Sequence, residues 1–343
     1  MEVVRAHPAV FLDVLDNSQV GEARRAAVSF ARACGAGETV FATVGIIVTE
    51  LANNLVRHAV EGHLAVQFLS TGRGDFIEVL AMDRGPGMSD VGKCLQDGFT
   101  TGGTAGNGLG AVRRLSSEFD IFSAPAQGTV ILSRVLAKAN PESEKGAAIR
   151  WGAYSRPAQG EAVCGDTWCV HRSIDRIRFM VSDGLGHGPD AAQSAEAVAE
   201  IFVQSPALSP AQFLAAAHRA VTGKRGAAVA IAELQLPAGV VQYAGVGNIS
   251  GVLVDGDRAR GLVSHNGTVG VLIRKIQTFE YRWAINGLLI MHSDGLQTRW
   301  SLASYPGLQA RDPSTIAAVL ARDFKRGRDD MTVLVAKFEG ETQ

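Results

Sequence analysis

The chain has 343 residues, 39 of them glycine, with 46% hydrophobic and 20% charged positions. Lys+Arg is 33 against Asp+Glu 34, a formal net charge of -1. The apolar content excludes bulk disorder, the balanced charge excludes a strong field for nucleic acid or anionic lipid, and the length implies two domains of ordinary size.

Cys34, Cys94, Cys164 and Cys169 form no CxxC pair and no zinc pattern, which fits reduced thiols in a cytoplasm. No basic-then-apolar leader is present, and no run of about 18 apolar residues, so neither a signal peptide nor a membrane span is expected.

In chain order, Gly21–Ala33 carries Ala26, Ala27, Phe30 and Ala33 at helical spacing. A longer helix, Thr39–Ala59, presents Val40, Val44, Ile47, Leu51 and Leu55 on one face. Strands are expected at Leu64–Leu69 and Phe76–Met82, a glycine-rich loop at Gly92–Asn107, a helix at Gly108–Ser117, and strands at Phe119–Phe122 and Thr129–Leu136. This alternation predicts an α+β sandwich with its helices on one face. The polar stretch KANPESEKGA reads as a linker, giving domains 1–138 and 148–343 around residues 139–147.

The second part begins with strands that include Thr167–Val170 and Arg176–Ser182, then helices Asp190–Val203 and Pro210–Val221. Strands follow near Ala227–Leu234, Val240–Gly245, Ser250–Val254, Gln277–Trp283 and Leu288–His292. A helix at Ser314–Phe324 precedes a closing strand, Met331–Phe338. Two sheets packed between helices fit this order.

Three signals in the first part carry chemistry. Glu50 and Asn54 are i and i+4 on one helix face, with His58 a turn further on. An amide there suits a hydrated Mg²⁺, and a carboxylate can take a proton from an attacking hydroxyl. Asp83-Arg84-Gly85-Pro86-Gly87-Met88 follows an apolar strand, where a carboxylate can accept from an adenine amine and glycines let the base approach. Gly102 to Gly110 leads into a helix whose first amides can hold phosphates, with Gly106, Gly108 and Gly110 as candidate contacts.

Taken together, "TELANNLVRHA", "DRGPGM", "TAGNGLGAVRRLSSEFDI" and Gly128-Thr129 resemble the GHKL (Bergerat-fold) ATPases, specifically the RsbT-like serine/threonine kinases of bacterial partner switching. The resemblance covers about residues 10–137. It implies ATP or ADP with Mg²⁺, Asn54 on the metal, Asp83 on adenine and Glu50 as catalytic base. It places His58, Gly85, Gly87, Gly106, Gly108, Leu109, Gly110 and Thr129 around the nucleotide.

In the second part, Asp166, Asp183, Asp294 and the pair Asp329-Asp330 each adjoin an apolar strand-like run. Carboxylates converging from strand ends repel unless a cation joins them, and oxygen donors without Cys or His favour Mg²⁺ or Mn²⁺. "CGDTW", "VSDGLGHG", "KRGAAVAI", "GVGNISGVL", "LIMHSDGL" and "RDDMTVLV" resemble, in order, the compact RsbX/SpoIIE-like branch of the type 2C (PPM) phosphatases. The resemblance runs from about Ala147 to Phe338 and implies an α-β-β-α sandwich with two Mn²⁺ or Mg²⁺ ions. It implies Asp166 and Asp183 as catalytic ligands and the Gly184 carbonyl, Asp294 and Asp329 as further ligands. Asp330 would stand behind them, and an ion-activated water would attack without a phosphoenzyme. His187 is a candidate proton donor, His292 a structural histidine, and Lys224-Arg225-Gly226 a candidate neighbour of the substrate phosphate.

The two resemblances imply a cytoplasmic bifunctional regulator that phosphorylates a Ser or Thr of a STAS-domain protein and hydrolyses the same phosphoester. The alternatives are a phosphatase gated by a nucleotide-sensing domain, or a module that sequesters a sigma factor or phosphatase activator. A homodimer through the first domain is a further implication. Neither nucleic acid nor membrane is expected as a partner.

Overall fold

The computed structural model describes residues 2–96, 108–140, 149–236 and 238–339. The chain divides into two compact units, residues 7–145 and residues 1–6 with 146–343. The first strand, β1 (Glu2–Arg5), therefore groups with the second unit. This corrects the reading of residues 1–138 as one domain: β1 finds its backbone partner far along the chain.

The unit of residues 7–145 contains β2 (Ala9–Asp13), α1 (Asn17–Ala33), α2 (Glu38–His58), β3 (His63–Thr71), β4 (Gly74–Asp83), α3 (Val91–Cys94), α4 (Gly108–Leu115), β5 (Glu118–Ser123) and β6 (Thr129–Ala139). Its antiparallel sheet has the order β2-β3-β4-β6-β5. Helix α1 starts four residues before the expected Gly21 because Asp16 caps it. The Asp16 carboxylate accepts from Ser18 N at 2.8 Å, and Gln19 reaches back to the Asp16 N–H in a capping box. Helix α2 buries Val44, Ile47, Val48, Leu51 and Leu55 in one core with Val66, Ile77, Val79 and Ile131 of the sheet. By length and hydropathy α2 also passes as a membrane span, against the expectation that no stretch would. That buried stripe identifies it as a core helix of the sandwich.

The other unit adds β7 (Ile149–Arg156), β8 (Asp166–Arg172), β9 (Arg176–Gly184), α5 (Pro189–Gln204), α6 (Pro210–Ala220), β10 (Ala227–Gln235), β11 (Val240–Val246), β12 (Ser250–Asp255) and β13 (Arg258–Gly261). It continues with β14 (Gly267–Thr268), β15 (Leu272–Ile273), β16 (Phe279–Arg282), β17 (Leu288–His292), α7 (Pro313–Phe324) and β18 (Met331–Phe338). One sheet has the order β1-β8-β9-β10-β11-β16 and the other β13-β12-β17-β18-β7. Helices α5 and α6 pack on the first sheet and α7 on the second, an α-β-β-α sandwich. Strand β10 is buried over Ala227–Leu234, since it lies mid-sheet with helices on one side and the facing sheet on the other. Helix α7 begins where Asp312 accepts from Ser314 N at 2.9 Å and Pro313 occupies its first turn.

Candidate active sites

In the unit of residues 7–145, the three sequence signals converge on α2. Glu50 and Asn54 face the start of α4: a side chain at Gly108 would meet Glu50 Oε2 at 3.0 Å and Asn54 Oδ1 at 3.8 Å. Asp83 ends β4, directly across from Thr129 at the start of β6. Its Oδ1 accepts from Gly85 N at 2.6 Å. The glycines here are steric requirements. A Cβ at Gly85 would lie 2.8 Å from both Asp83 Oδ1 and the His58 carbonyl. Gly128, at φ +65, leaves room only for hydrogen, since a Cβ would lie 2.1 Å from the Asp83 carbonyl.

Thr129 is buried, and its hydroxyl shares a 2.8 Å hydrogen bond with Ser123. His58 lies exposed on the last turn of α2. Leu109 lies in the hydrophobic core, so its contribution to a nucleotide would come from its backbone N–H. Gly87, at φ +70, packs against the Ala124 carbonyl, and Gly110 is buried in α4. Gly106 and most of the glycine-rich loop lie outside the described residues. The result is an α2 face bearing a carboxylate and an amide, a helix N-terminus beside them, and a second carboxylate at a strand end. Such a set can hold a nucleotide's phosphates and its base.

In the other unit, the acidic residues gather at one end of the two facing sheets. Asp166 and Asp183 are direct cross-strand neighbours on β8 and β9. Asp294 follows β17, and Asp329-Asp330 precedes β18. Ser293 ties the sheets together: its hydroxyl donates to Asp166 Oδ2 at 2.6 Å and accepts from Thr332 N at 2.9 Å. Asp183, Asp294 and Asp329 line a cavity of about 480 Å³, while Asp166 and Asp330 are buried. Gly184 admits no side chain, because a Cβ would lie 2.0 Å from the Ala191 carbonyl.

The electrostatics are those of crowded carboxylates. Burial, and then the charge of Asp166, push the Asp183 carboxyl up to about 9. Burial also raises Asp166, to about 7, with Asp330 and Asp329 adding to the rise and the Ser293 hydroxyl opposing it. Asp294 is raised by burial and by Asp329. Among the described residues, no three Asp, Glu, His or Cys side chains are drawn together as a closed cage. Three of the carboxylates line the cavity, and Asp166 and Asp330 are buried. Asp166 Oδ1 and Asp330 Oδ2 are buried without a hydrogen-bond partner, while Asp330 Oδ1 accepts from Ala158 N at 2.8 Å. Orphaned buried carboxylate oxygens among raised neighbours fit the donor set of a hard divalent cation.

Two histidines separate clearly. His292 is buried with both ring nitrogens engaged, Nδ1 with the Ser293 carbonyl at 2.8 Å and Nε2 accepting from Trp300 Nε1 at 3.2 Å. Burial lowers its pKa, so it is a neutral structural group. His187 is exposed, and its Nδ1 is held by Glu161 at 2.6 Å. Sequence reasoning missed Asn248, whose side-chain amide donates to Asp294 Oδ2 at 2.6 Å, and the lining positions Asn266 and Thr268. The Gly-Val-Gly-Asn turn after β11 was a signal for Asn248. Nothing in the sequence marked the other two.

Comparison with known proteins follows the same division. Residues 14–134 match the histidine kinase-like ATPase domain, and residues 173–339 match the family of Stage II sporulation protein E (SpoIIE). The serine/threonine-protein kinase RsbT of Bacillus subtilis is 33% identical over 109 residues, 32% of this chain and 82% of that protein. The phosphoserine phosphatase RsbX of the same organism is 24% identical over 145 residues, 42% of this chain and 72% of that one. A solved chain of the bacterial stressosome, described as a modular system adapted to control secondary messenger signaling, superimposes with a TM-score of 0.52 at 29% identity. It spans 56% of this chain and all of that one. RsbX in complex with magnesium superimposes at 0.50 with 20% identity, over 57% of this chain and 98% of that one, and shows the shared fold. The SpoIIE match begins after Asp166, so that residue's place in the cluster rests on its cross-strand pairing with Asp183. The chain therefore belongs, through its ATPase unit, to the RsbT family of partner-switching kinases, and it joins that unit to a SpoIIE-type PPM phosphatase domain related to RsbX.

Proposed function

We propose that this chain is a cytoplasmic two-way switch: one unit phosphorylates a Ser or Thr on a STAS-domain protein, and the other removes that phosphate. The observation that carries the reading is the pair of separate reaction centres. One combines Glu50, Asn54, Asp83 and the α4 N-terminus, and the other gathers five aspartates at one end of a double sheet.

In the kinase reaction, the Asp83 carboxylate accepts from the adenine amine and the first amides of α4 receive phosphate oxygens. Asn54 would hold Mg²⁺. Glu50 takes the proton from the substrate hydroxyl as its oxygen bonds to the γ-phosphorus and ADP leaves. In the phosphatase reaction, Asp166, Asp183, Asp294, Asp329 and the Gly184 carbonyl would hold two Mn²⁺ or Mg²⁺ ions. Bound, the ions supply positive charge toward the phosphoryl oxygens and lower the pKa of the attacking water. The chain's own contribution is to fix these oxygens: Asn248 orients Asp294, Ser293 orients Asp166, and Asp330 supports the loop before β18. The P–O bond to the Ser or Thr oxygen breaks, that oxygen takes up a proton, and inorganic phosphate is released.

The test uses purified protein, a candidate STAS partner, labelled ATP and Mn²⁺. Asp183→Ala should raise accumulation of phosphorylated partner, and Asn54→Ala should abolish labelling. Unchanged accumulation with Asp183→Ala overturns the opposed pair of activities, and intact labelling with Asn54→Ala overturns the kinase site.

A further inference from the structure

The carboxylate cavity is lined by Asp183, Asp294 and Asp329 and, on one side, by Leu185, Gly186, Gly267 and Thr268. Three segments meet on that side: the turn after β9 carrying Leu185 and Gly186, the β14–β15 hairpin carrying Gly267 and Thr268, and Lys224–Gly226 before β10, where a Gly226 Cβ would lie 2.8 Å from Thr268 and 2.9 Å from Val271. They are stitched into one wall. Leu185 N donates to the Gly226 carbonyl at 3.0 Å, and Ala227 and Val269 exchange two backbone hydrogen bonds at 3.0 and 2.9 Å. The hairpin tip is fastened to α6, because Gly270 N donates to His218 Nδ1 at 2.8 Å.

On this wall, large aliphatic side chains face solvent: Leu185 is 45% exposed, Val271 63% and Leu272 57%. Single exposed aliphatics are ordinary. These three, however, sit on segments bonded to one another, and Leu272 is the cross-strand partner of Thr268, which lines the cavity. A cation stands beside them. Arg225 Nη1 lies 3.1 Å from where a Gly186 side chain would be, and its guanidinium is held by Asp190 at 2.6 Å.

We propose that this wall is the docking surface for the protein substrate of the phosphatase unit. It would receive a phosphoserine or phosphothreonine segment with a large aliphatic residue beside the phosphorylated position. The inference rests on reading the cavity as the phosphatase centre. The argument is continuity and charge. A phosphoryl group that reaches the aspartates carries its chain across this side, and the neighbouring side chain lands on Leu185, Val271 and Leu272. Arg225, whose exposed ion pair with Asp190 is weak in water, can turn its guanidinium toward a dianionic ester beside the acidic residues. Burying one aliphatic side chain against this wall discriminates between substrates on the order of 10- to 100-fold.

The experiment compares the full-length protein with Val271→Ser/Leu272→Ser in Mn²⁺ on three probes. The probes are p-nitrophenyl phosphate and two phosphothreonine peptides that differ only in Leu or Ser next to the phosphoresidue. The wild type should favour the Leu peptide about 10-fold in kcat/KM. The double variant should lose that preference through KM, with hydrolysis of p-nitrophenyl phosphate within about twofold of wild type. Arg225→Gln should raise KM for both peptides. A wild type without preference, or a double variant that keeps it, overturns the docking wall while leaving the phosphatase reading intact. A wild type that hydrolyses none of the probes overturns that reading and the wall with it.

Discussion

At the scale of single residues, the glycines carry the sharpest expectations. Gly108 opens α4, where alanine would ordinarily stabilise a helix by about 1 kcal/mol. Its Cβ would stand 3.0 Å from Glu50 Oε2, in the space the proposed nucleotide's phosphates would occupy. Gly108→Ala should therefore leave thermal stability unchanged or slightly higher while weakening nucleotide binding about 10-fold, which titration calorimetry would read. Gly184→Ala has no such freedom, because the obstruction is the Ala191 backbone at 2.0 Å. It should cost about 2–3 kcal/mol in denaturant unfolding and displace Asp183.

The aspartates give a pH dependence with a definite sign. Folding raises Asp166 and Asp183 from an ordinary 3.8 to about 7 and about 9. The folded state keeps protons that the unfolded chain releases. Their contribution is intact below about pH 4 and is lost as pH rises through 7 and 9. In EDTA the melting temperature of the phosphatase unit should fall between pH 5 and pH 8. Mn²⁺ should raise it more at pH 8 than at pH 5. A larger Mn²⁺ effect at pH 5 would contradict the cluster as a cation site.

At the scale of elements, the ATPase unit contains a buried polar chain across its sheet. Gln67 Nε2 donates to Glu78 Oε1 at 2.6 Å, Arg134 Nε to Glu78 Oε2 at 2.7 Å, and Arg134 Nη1 to Glu118 Oε2 at 2.6 Å. Glu78 and Arg134 are almost fully buried, so removing one partner strands the other's charge. Arg134→Ala should destabilise the unit by about 3–5 kcal/mol in denaturant titrations, and the Glu78→Leu/Arg134→Leu pair by much less.

The strands and helices that could be read from sequence were those whose pattern is local. The apolar run of β10 and the stripe of α2 announce themselves, and the motif order placed Glu50, Asn54, Asp83, Asp183 and Asp294 beside the right elements. What escaped notice was contact across distance. The Asn248–Asp294 hydrogen bond spans 46 positions, and the Asp166–Ser293 bond spans 127. No periodicity encodes such a meeting; it follows from sheet register. The short β14–β15 hairpin was invisible for a different reason: two-residue strands are too brief to show alternation.

At the scale of the whole molecule, the notable departure is β1. Val4 pairs with Val170 and Arg5 with Cys169, and Ala6 N still donates to the Trp168 carbonyl at 2.9 Å. Three residues later β2 has entered the other sheet. The sequence between residues 7 and 145 is thus an insertion in the phosphatase unit. A fragment of residues 146–343 leaves the β8 edge open. It should melt about 3–6 °C below the same unit in the full chain and aggregate more readily. Fusing residues 1–6 ahead of residue 146 through a flexible linker should recover most of the difference in differential scanning calorimetry.

That threading also sets an order of events during synthesis. β1 leaves the ribosome roughly 160 residues ahead of β8, its partner. At about 5–20 residues per second, the interval is on the order of 10–30 s. The ATPase sheet is synthesised within that interval, and its last strand ends at Ala139, before β8 begins at Asp166. The nascent chain therefore holds the whole ATPase sheet before the strand that pairs Asp166 with Asp183 has been made.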